Sequence, residues 1–190
     1  NVQNAEDTEV GGSFISATGG TISDCGTFRT HIFSSPGTFA VSAISGSAPN
    51  NALDYLVVAG GGGAGNRQHG SGGGAGGFRV ANSLSLPAPT MSPLSNPSGL
   101  TATVASFPIT VGAGGTGGPA GPCNVSGTTG SPSIFSTITS AGGGGGGTFN
   151  ATGLSGGSGG GGGGAAGGGS PGGSGNTPPV SPPQGNTGGT

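Results

Sequence analysis

The sequence predicts a mostly β protein in which a small base of strands feeds packed, left-handed polyglycine helices, with almost no α-helix. Glycine accounts for 51 of the 190 residues. No stretch free of glycine and proline exceeds about ten residues, and helices that short are marginal in isolation. Apolar strand-like segments also run directly into glycine at three places, which are residues 54–63, 107–118 and 134–147.

From the sequence of residues 1–59, we predict a polar N-terminal segment followed by β-strands. Residues 1–18 are polar and acidic at their beginning, and we assign them as an attachment or assembly segment. Residues 19–59 are predicted to form the β-strand base. Within it, alternating apolar positions between 27 and 42 predict a β-hairpin with one apolar face. We expect Arg29 and His31 on the opposite face, because neighbouring strand residues point to opposite sides.

Residues 51–59 form the clearest predicted strand. Leu53, Tyr55 and Val57 share one face, whereas Leu56 and Val58 lie on the other. A strand that is apolar on both sides is typical of one covered on both sides, so we expect a central position in a sheet.

Beyond this strand, residues 60–175 are predicted to form a polyglycine domain with interspersed strands, and 176–190 a tail rich in proline and glycine. Around Pro108, residues 100–112 predict either two strands or one interrupted strand that begins at a sheet edge. The glycine runs have two interpretations. Flexible linkers are the usual one, but apolar strands punctuate these runs, which favours glycine helices whose backbones hydrogen-bond laterally.

A dinucleotide-binding motif is the main competing interpretation of the first run. Gly60, Gly62 and Gly65 match the G-x-G-x-x-G spacing. That motif requires a helix at its end and an acidic residue about 20 positions later. Further glycines follow instead, and no Asp or Glu occurs after Asp54. We therefore reject nucleotide binding.

The charges exclude further classes of function. The net charge is −2, with three arginines and no lysine, and no Asp, Glu, Lys or Arg follows Arg79. This gives no basic surface for nucleic acid, and no apolar run is long enough to span a membrane. We expect no enzyme activity, no cofactor and no metal site, because the few ionisable residues lack catalytic or ligand spacing.

Cys25 and Cys123 are the two cysteines. They are either a disulfide, if the protein resides outside a reducing cytosol, or two unrelated thiols.

The order of these motifs resembles the glycine-rich domain of bacteriophage tail-fibre and tail-tip adhesins. The similarity covers about residues 19–175, and it is carried by the segments 54–63, 73–78, 109–115, 135–136 and 141–147. It implies a β-strand base bearing a sandwich of polyglycine II helices, at the virion surface or outside the cell. Loops at one end would bind the host cell surface.

On this resemblance, the inserts between glycine runs are the candidate contact loops. The partner would be a polysaccharide or an outer-membrane protein of the host. Arg67 and His69 are the long polar donors of the glycine-rich region, although they are equally suited to solvating a turn. The full set of candidate contact residues is Asn66, Arg67, Gln68, His69, Asn124, Phe149 and Asn150.

An alternative function is a self-assembling subunit of a secreted extracellular filament. Its copies would associate as a homo-oligomer through the glycine lattice, or by strand addition through the N-terminal segment. The absence of acidic and basic side chains from residues 80–190 suits tight contact between copies.

Overall fold

The computed structural model describes residues 14–26, 28–66, 69–83, 92, 94–121 and 124–190. These residues are mostly β and contain no α-helix, as predicted; a short 3₁₀ turn occurs at Ala48–Asn51. The strands are β1 (Ser16–Thr18), β2 (Thr21–Cys25), β3 (Phe28–Ile32), β4 (Gly37–Ala43), β5 (Ala52–Leu53), β6 (Leu56–Val58), β7 (Phe78–Val80), β8 (Leu100–Thr101), β9 (Ala105–Thr110), β10 (Ser133–Phe135), β11 (Ile138–Ser140), β12 (Gly164–Ala165) and β13 (Gly168–Gly169).

The largest sheet has five antiparallel strands in the order β1-β4-β9-β10-β11. Phe39 of β4 lies opposite Phe107 of β9, and both rings pack with Phe135 of β10 at centroid separations of 5.9 and 6.1 Å. The start of β9 pairs with β4 alone, because β10 reaches only Ile109 and Thr110. Of the two predicted alternatives for residues 100–112, the structure has two strands, β8 and β9, and β9 continues through Pro108.

The predicted hairpin over 27–42 is wrong. β3 pairs with β2, and β4 pairs with β1 and β9. Gly19 and Gly20 have φ angles of +108° and +65°, so they bend the chain between β1 and β2. β2 and β3 therefore form a mostly exposed hairpin, which continues the antiparallel pair of β1 and β4.

The strand predicted over 51–59 is divided into β5 and β6, and only one side of β6 is covered. Tyr55 and Val57 are buried with Ala81 in a small core, against which Phe135 and Ile138 pack. Leu56 and Val58, expected to be buried on the other face, are exposed.

The glycine runs form extended helices that hydrogen-bond to one another every third residue. From the run 59–66, three amides bond to the run 71–77, and the amides that follow them in sequence bond to the run 125–131. None of these three runs contains a described residue with a positive φ angle. A period of three with negative φ angles is that of the polyproline II helix, which polyglycine II shares.

The hydrogen bonds between these helices arrange them in three layers. The first layer holds the runs 112–118, 59–66 and 71–77. The middle layer holds 125–131, 141–147, 158–164 and 184–190. The third layer holds 151–157 and 170–176.

The run 141–147 lies at the centre of this lattice. Its amides and carbonyls bond to runs in all three layers, and its glycines are almost entirely buried. A Cβ at Gly144 would overlap the carbonyl oxygen of Leu154. Backbone contact therefore replaces the side-chain packing of a conventional core.

The C-terminal residues, predicted as a tail from 176 onward, take part in the lattice. Gly159 and Gly162 donate to the carbonyls of Asn186 and Gly189. Gln184 is 3% exposed and closes the strand-side end of the lattice, where its Oε1 accepts the amide proton of Ala141 at 2.8 Å.

Candidate functional site

The loops between helices meet at the end of the lattice that lies away from strands β6, β9 and β11. The runs 59–66, 112–118 and 141–147 each leave a strand or its immediate neighbourhood and extend toward this end. The chain reverses there and returns in antiparallel runs. We call this end the distal end, and the described residues of its loops are 66, 69–70, 118–121, 124–125, 147–151 and 164–170.

Asn66 joins three of these loops. It is 8% exposed. Its Nδ2 donates to the carbonyl of Pro119 at 2.6 Å, and its Oδ1 accepts the amide proton of Val125 at 2.8 Å. Its carbonyl accepts the hydroxyl proton of Thr148 at 3.2 Å. Asn66, which the sequence suggested as a contact residue, is therefore buried and holds the loops in place.

His69, Phe149 and Asn150 lie together at the distal end. The rings of His69 and Phe149 pack with centroids 5.1 Å apart at an angle of 45°. Gly164 links both loops, because its amide donates to the carbonyl of His69 at 3.0 Å and its carbonyl accepts from Asn150 at 2.8 Å. His69 and Asn150 are exposed, whereas Phe149 is half-buried.

Two of these positions depend on unusual local geometry. Asn150 has a φ angle of +58°, a conformation that asparagine tolerates better than most residues do. A Cβ at Gly164 would meet the imidazole ring of His69. Asparagine at 150 and glycine at 164 therefore permit the loops that contain His69, Asn150 and Gly164 to approach closely.

Of the remaining candidate contact residues and cysteines, the structure describes Asn124 and Cys25. Asn124 is exposed and precedes Val125, which bonds to Asn66. Arg67, Gln68 and Cys123 lie outside the described residues. Cys25 is exposed at the end of β2. Because a disulfide would require Cys123, the choice between a disulfide and two unrelated thiols also lies outside the described residues.

A fourth loop at the distal end was missed from the sequence. It is the small hairpin of β12 and β13; Gly167 in its turn and Gly168 at the start of β13 have φ angles of +100° and +146°. The only sequence signal is the pair Ala165-Ala166, which interrupts a long glycine run.

The described residues of the distal end are polar and aromatic but nearly uncharged. Apart from His69, the described residues of its loops have no ionisable side chain. Within the described ranges, no group of three or more His, Cys, Asp and Glu residues is placed to hold a metal ion. The available chemistry is hydrogen bonding by amides and by the imidazole, with two ring surfaces beside them.

Comparison with known proteins identifies the family to which this chain belongs. Neither the curated proteins nor the solved structures gave a match. No helix in the part of the chain that the structure describes has the length and apolar character needed to span a bilayer. The family model described as "Glycine-rich domain" matches residues 34–190, and the chain therefore belongs to this glycine-rich domain family.

Proposed function

We propose that this chain is a non-enzymatic adhesin domain of the phage tail-fibre type, and that its distal end contacts the host cell surface. One observation carries the proposal. Loops that are far apart in the sequence converge at one end of a hydrogen-bonded lattice, whereas strands β6, β9 and β11, from which three of its runs start, lie at the other end. Binding residues are commonly placed on loops that a rigid scaffold positions.

The chemistry of the distal end favours a polysaccharide of the host surface as the ligand. The ring faces of His69 and Phe149 suit stacking against the apolar face of a sugar. The exposed amides of Asn124 and Asn150 are able to donate to hydroxyl groups and accept from them. The described residues of the site carry no Asp, Glu, Lys or Arg, which suits a neutral polymer better than a strongly charged one.

Rigidity supports the same function. The bonds of Asn66 to Pro119 and Val125 fix two loops relative to each other, and Gly164 fixes two more. Loops that are ordered before binding lose less conformational entropy when they bind.

Adsorption of the labelled protein to a panel of bacterial cells tests this function. On an adsorbing strain, Phe149→Ala and His69→Ala are each expected to weaken adsorption about tenfold or more, as contact residues at the centre of an interface do. Phe28→Ala is the matched control, because Phe28 is an exposed aromatic residue on β3, away from the distal end.

Equal adsorption of Phe149→Ala, His69→Ala and the unaltered protein would refute the site. Adsorption that survives enzymatic removal of surface polysaccharide, but not protease treatment of the cells, would assign the ligand to an outer-membrane protein.

The alternative function, a filament subunit, is supported by one different feature. The hairpin β2–β3 extends from the main sheet and forms a separate two-stranded sheet, and every residue of β2 is exposed. Exposed strand edges are templates for strand addition by another chain. Long uniform fibres of the purified chain in negative stain would favour the filament, whereas discrete particles that adsorb to cells would favour the adhesin.

A further inference from the structure

An uncharged face of the first layer points away from the rest of the protein. In β6, Val57 is buried in the core, so its neighbours Leu56 and Val58 point outward with exposures of 61% and 52%. Phe78, which pairs with Val58 across the ladder, is 44% exposed. We call this surface the outer face, and it consists of Leu56, Val58, Gly61, Ala64, Ala75, Phe78, Gly114 and Gly117.

The strand that contributes to this face has the apolar sequence expected of a strand that is covered on both sides. Residues 55–59 have apolar side chains on both sides of the strand, a pattern typical of strands with a layer on each side. The inner side carries such a layer, since Phe135 and Ile138 pack against the core there. On the outer side, three large apolar residues are exposed together, and such patches on soluble proteins mark interaction sites.

Two glycines of the outer face are not required by the packing of this chain. A Cβ at Gly114 would lie 3.7 Å from the carbonyl oxygen of Gly61, and one at Gly117 would lie 3.5 Å from that of Ala64. Both are ordinary contacts. By contrast, a Cβ at Gly115 would overlap the carbonyl of Thr128. Glycine has a larger entropy cost of folding than alanine, so its presence at 114 and 117 fits the close approach of another backbone.

The outer face also has unused backbone hydrogen-bonding groups. The amides of Gly60 and Gly63 donate inward to the carbonyls of Ser131 and Thr128. The amides of the outward residues Gly61, Ala64, Gly114 and Gly117 have no hydrogen-bond partner within the described ranges. The carbonyls of Gly114 and Gly117 likewise accept no hydrogen bond there, so one run offers both donors and acceptors.

We propose that the outer face binds a second copy of this chain, back to back, as a two-fold dimer. A two-fold interface requires a self-complementary surface, and free amides together with free carbonyls in the run 112–118 meet that requirement. No ionised side chain belongs to the face, so two copies bring no like charges together. Arg79, which follows Phe78 in β7, reaches instead toward β11, where its Nη1 donates to the carbonyl of Thr139 at 3.4 Å.

This interface would consist of the same kinds of contact that hold the three layers of the chain together. Glycine runs would meet through N–H and Cα–H groups as the three layers do, and Leu56, Val58 and Phe78 would bury apolar area beside them. The proposal is independent of the distal end, because the two surfaces share no residue.

Sedimentation equilibrium over a range of protein concentrations tests the proposal. The unaltered chain is expected to shift from monomer to dimer, and Val58→Arg to weaken dimerisation about tenfold or more, because it buries an unpaired charge. Leu154→Arg is the matched control: Leu154 is also exposed but lies in the third layer, and this variant should dimerise normally. A chain that stays monomeric at every concentration, or a dimer that Val58→Arg leaves intact, would overturn the proposal.

Amide hydrogen exchange provides a second test that does not depend on a variant. The amides of Gly61, Ala64, Gly114 and Gly117 should exchange quickly in dilute protein and more slowly as concentration rises. The inner amides of Gly60 and Gly63 should be protected throughout, which reports that the fold is intact. If the protein associates while the outer amides keep their dilute exchange rates, another surface forms the contact and the proposal fails. His69→Ala should leave both measurements unchanged.

Discussion

Gly74 donates its amide proton to the carbonyl oxygen of Gly144 at 2.7 Å. The two residues are 70 positions apart in the sequence, and neither has a side chain to contribute. Similar bonds recur every third residue along the runs that contain them. The buried hydrophobic side chains, in contrast, are few, and the core cluster that they form contains only Tyr55, Val57 and Ala81. Most of the ordered packing in the glycine-rich part is therefore backbone against backbone.

This arrangement predicts that alanine has opposite effects at two glycines. Gly144→Ala should destabilise the protein by about 3 kcal/mol, because its Cβ overlaps a backbone carbonyl that cannot move without disturbing the lattice. Gly114→Ala, whose Cβ has room, should be neutral or stabilising by about 0.5 kcal/mol. Urea unfolding in dilute solution measures both. Equal effects of the two substitutions would contradict the lattice geometry.

Gln184→Ala should destabilise the strand-side end of the lattice. The side chain of Gln184 accepts from the amide of Ala141 at 2.8 Å and donates to the carbonyl of Pro178 at 2.9 Å. Its removal leaves a buried amide without a partner, which costs about 1–3 kcal/mol. Thermal unfolding should show a lower midpoint for Gln184→Ala and an unchanged midpoint for Ser181→Ala, an exposed neighbour. An unchanged midpoint for Gln184→Ala would mean that this bond contributes little.

Asp24 is predicted to titrate below its usual range. The Arg29 guanidinium donates two hydrogen bonds to its carboxylate, at 2.7 and 2.9 Å, and these bonds lower the pKa of Asp24. A lowered folded-state pKa stabilises the protein above the unfolded-state pKa, and that stabilisation is lost as the pH falls through the folded value.

Both side chains of this pair are more than half exposed, so solvent screening makes the effect on stability small. An NMR titration should show the pKa of Asp24 rising in Arg29→Ala, with the unfolding midpoint at pH 7 almost unchanged. A pKa of Asp24 that does not respond to the substitution would argue against the ion pair in solution.

The strand-to-glycine transitions were predictable from the sequence because they depend on local composition. Val58 is followed by Ala59 and continuous glycine, and β6 ends where the glycine helix begins. The near absence of helix followed from glycine and proline in the same way. These are properties of neighbouring residues, which a sequence records directly.

Strand partners were not predictable, because alternation specifies the faces of a strand and not its neighbour. Phe28 and Ile32 alternate as Phe39 and Val41 do, yet β3 pairs with β2. The bend at Gly19 and Gly20 decides this pairing, and its positive φ angles are not visible in a chain with many glycines.

The distal end was only partly predictable. Polar inserts between glycine runs indicated loops, and the structure brings the described inserts together. Asn66 resembled a contact residue because it begins a polar insert, but its partners Pro119 and Val125 are more than 50 positions away. Burial by such distant segments cannot be derived from the insert itself.

Amide hydrogen exchange of the run 141–147 tests the central claim most directly. The amides of Gly143, Gly144, Gly146 and Gly147 donate to the carbonyls of other runs. They should be protected about as strongly as the paired amides of β4 and β9, because they open only when the lattice opens. Exchange of these amides at the rate of an unstructured peptide, while β4 and β9 remain protected, would show that the glycine runs are not held by their backbones.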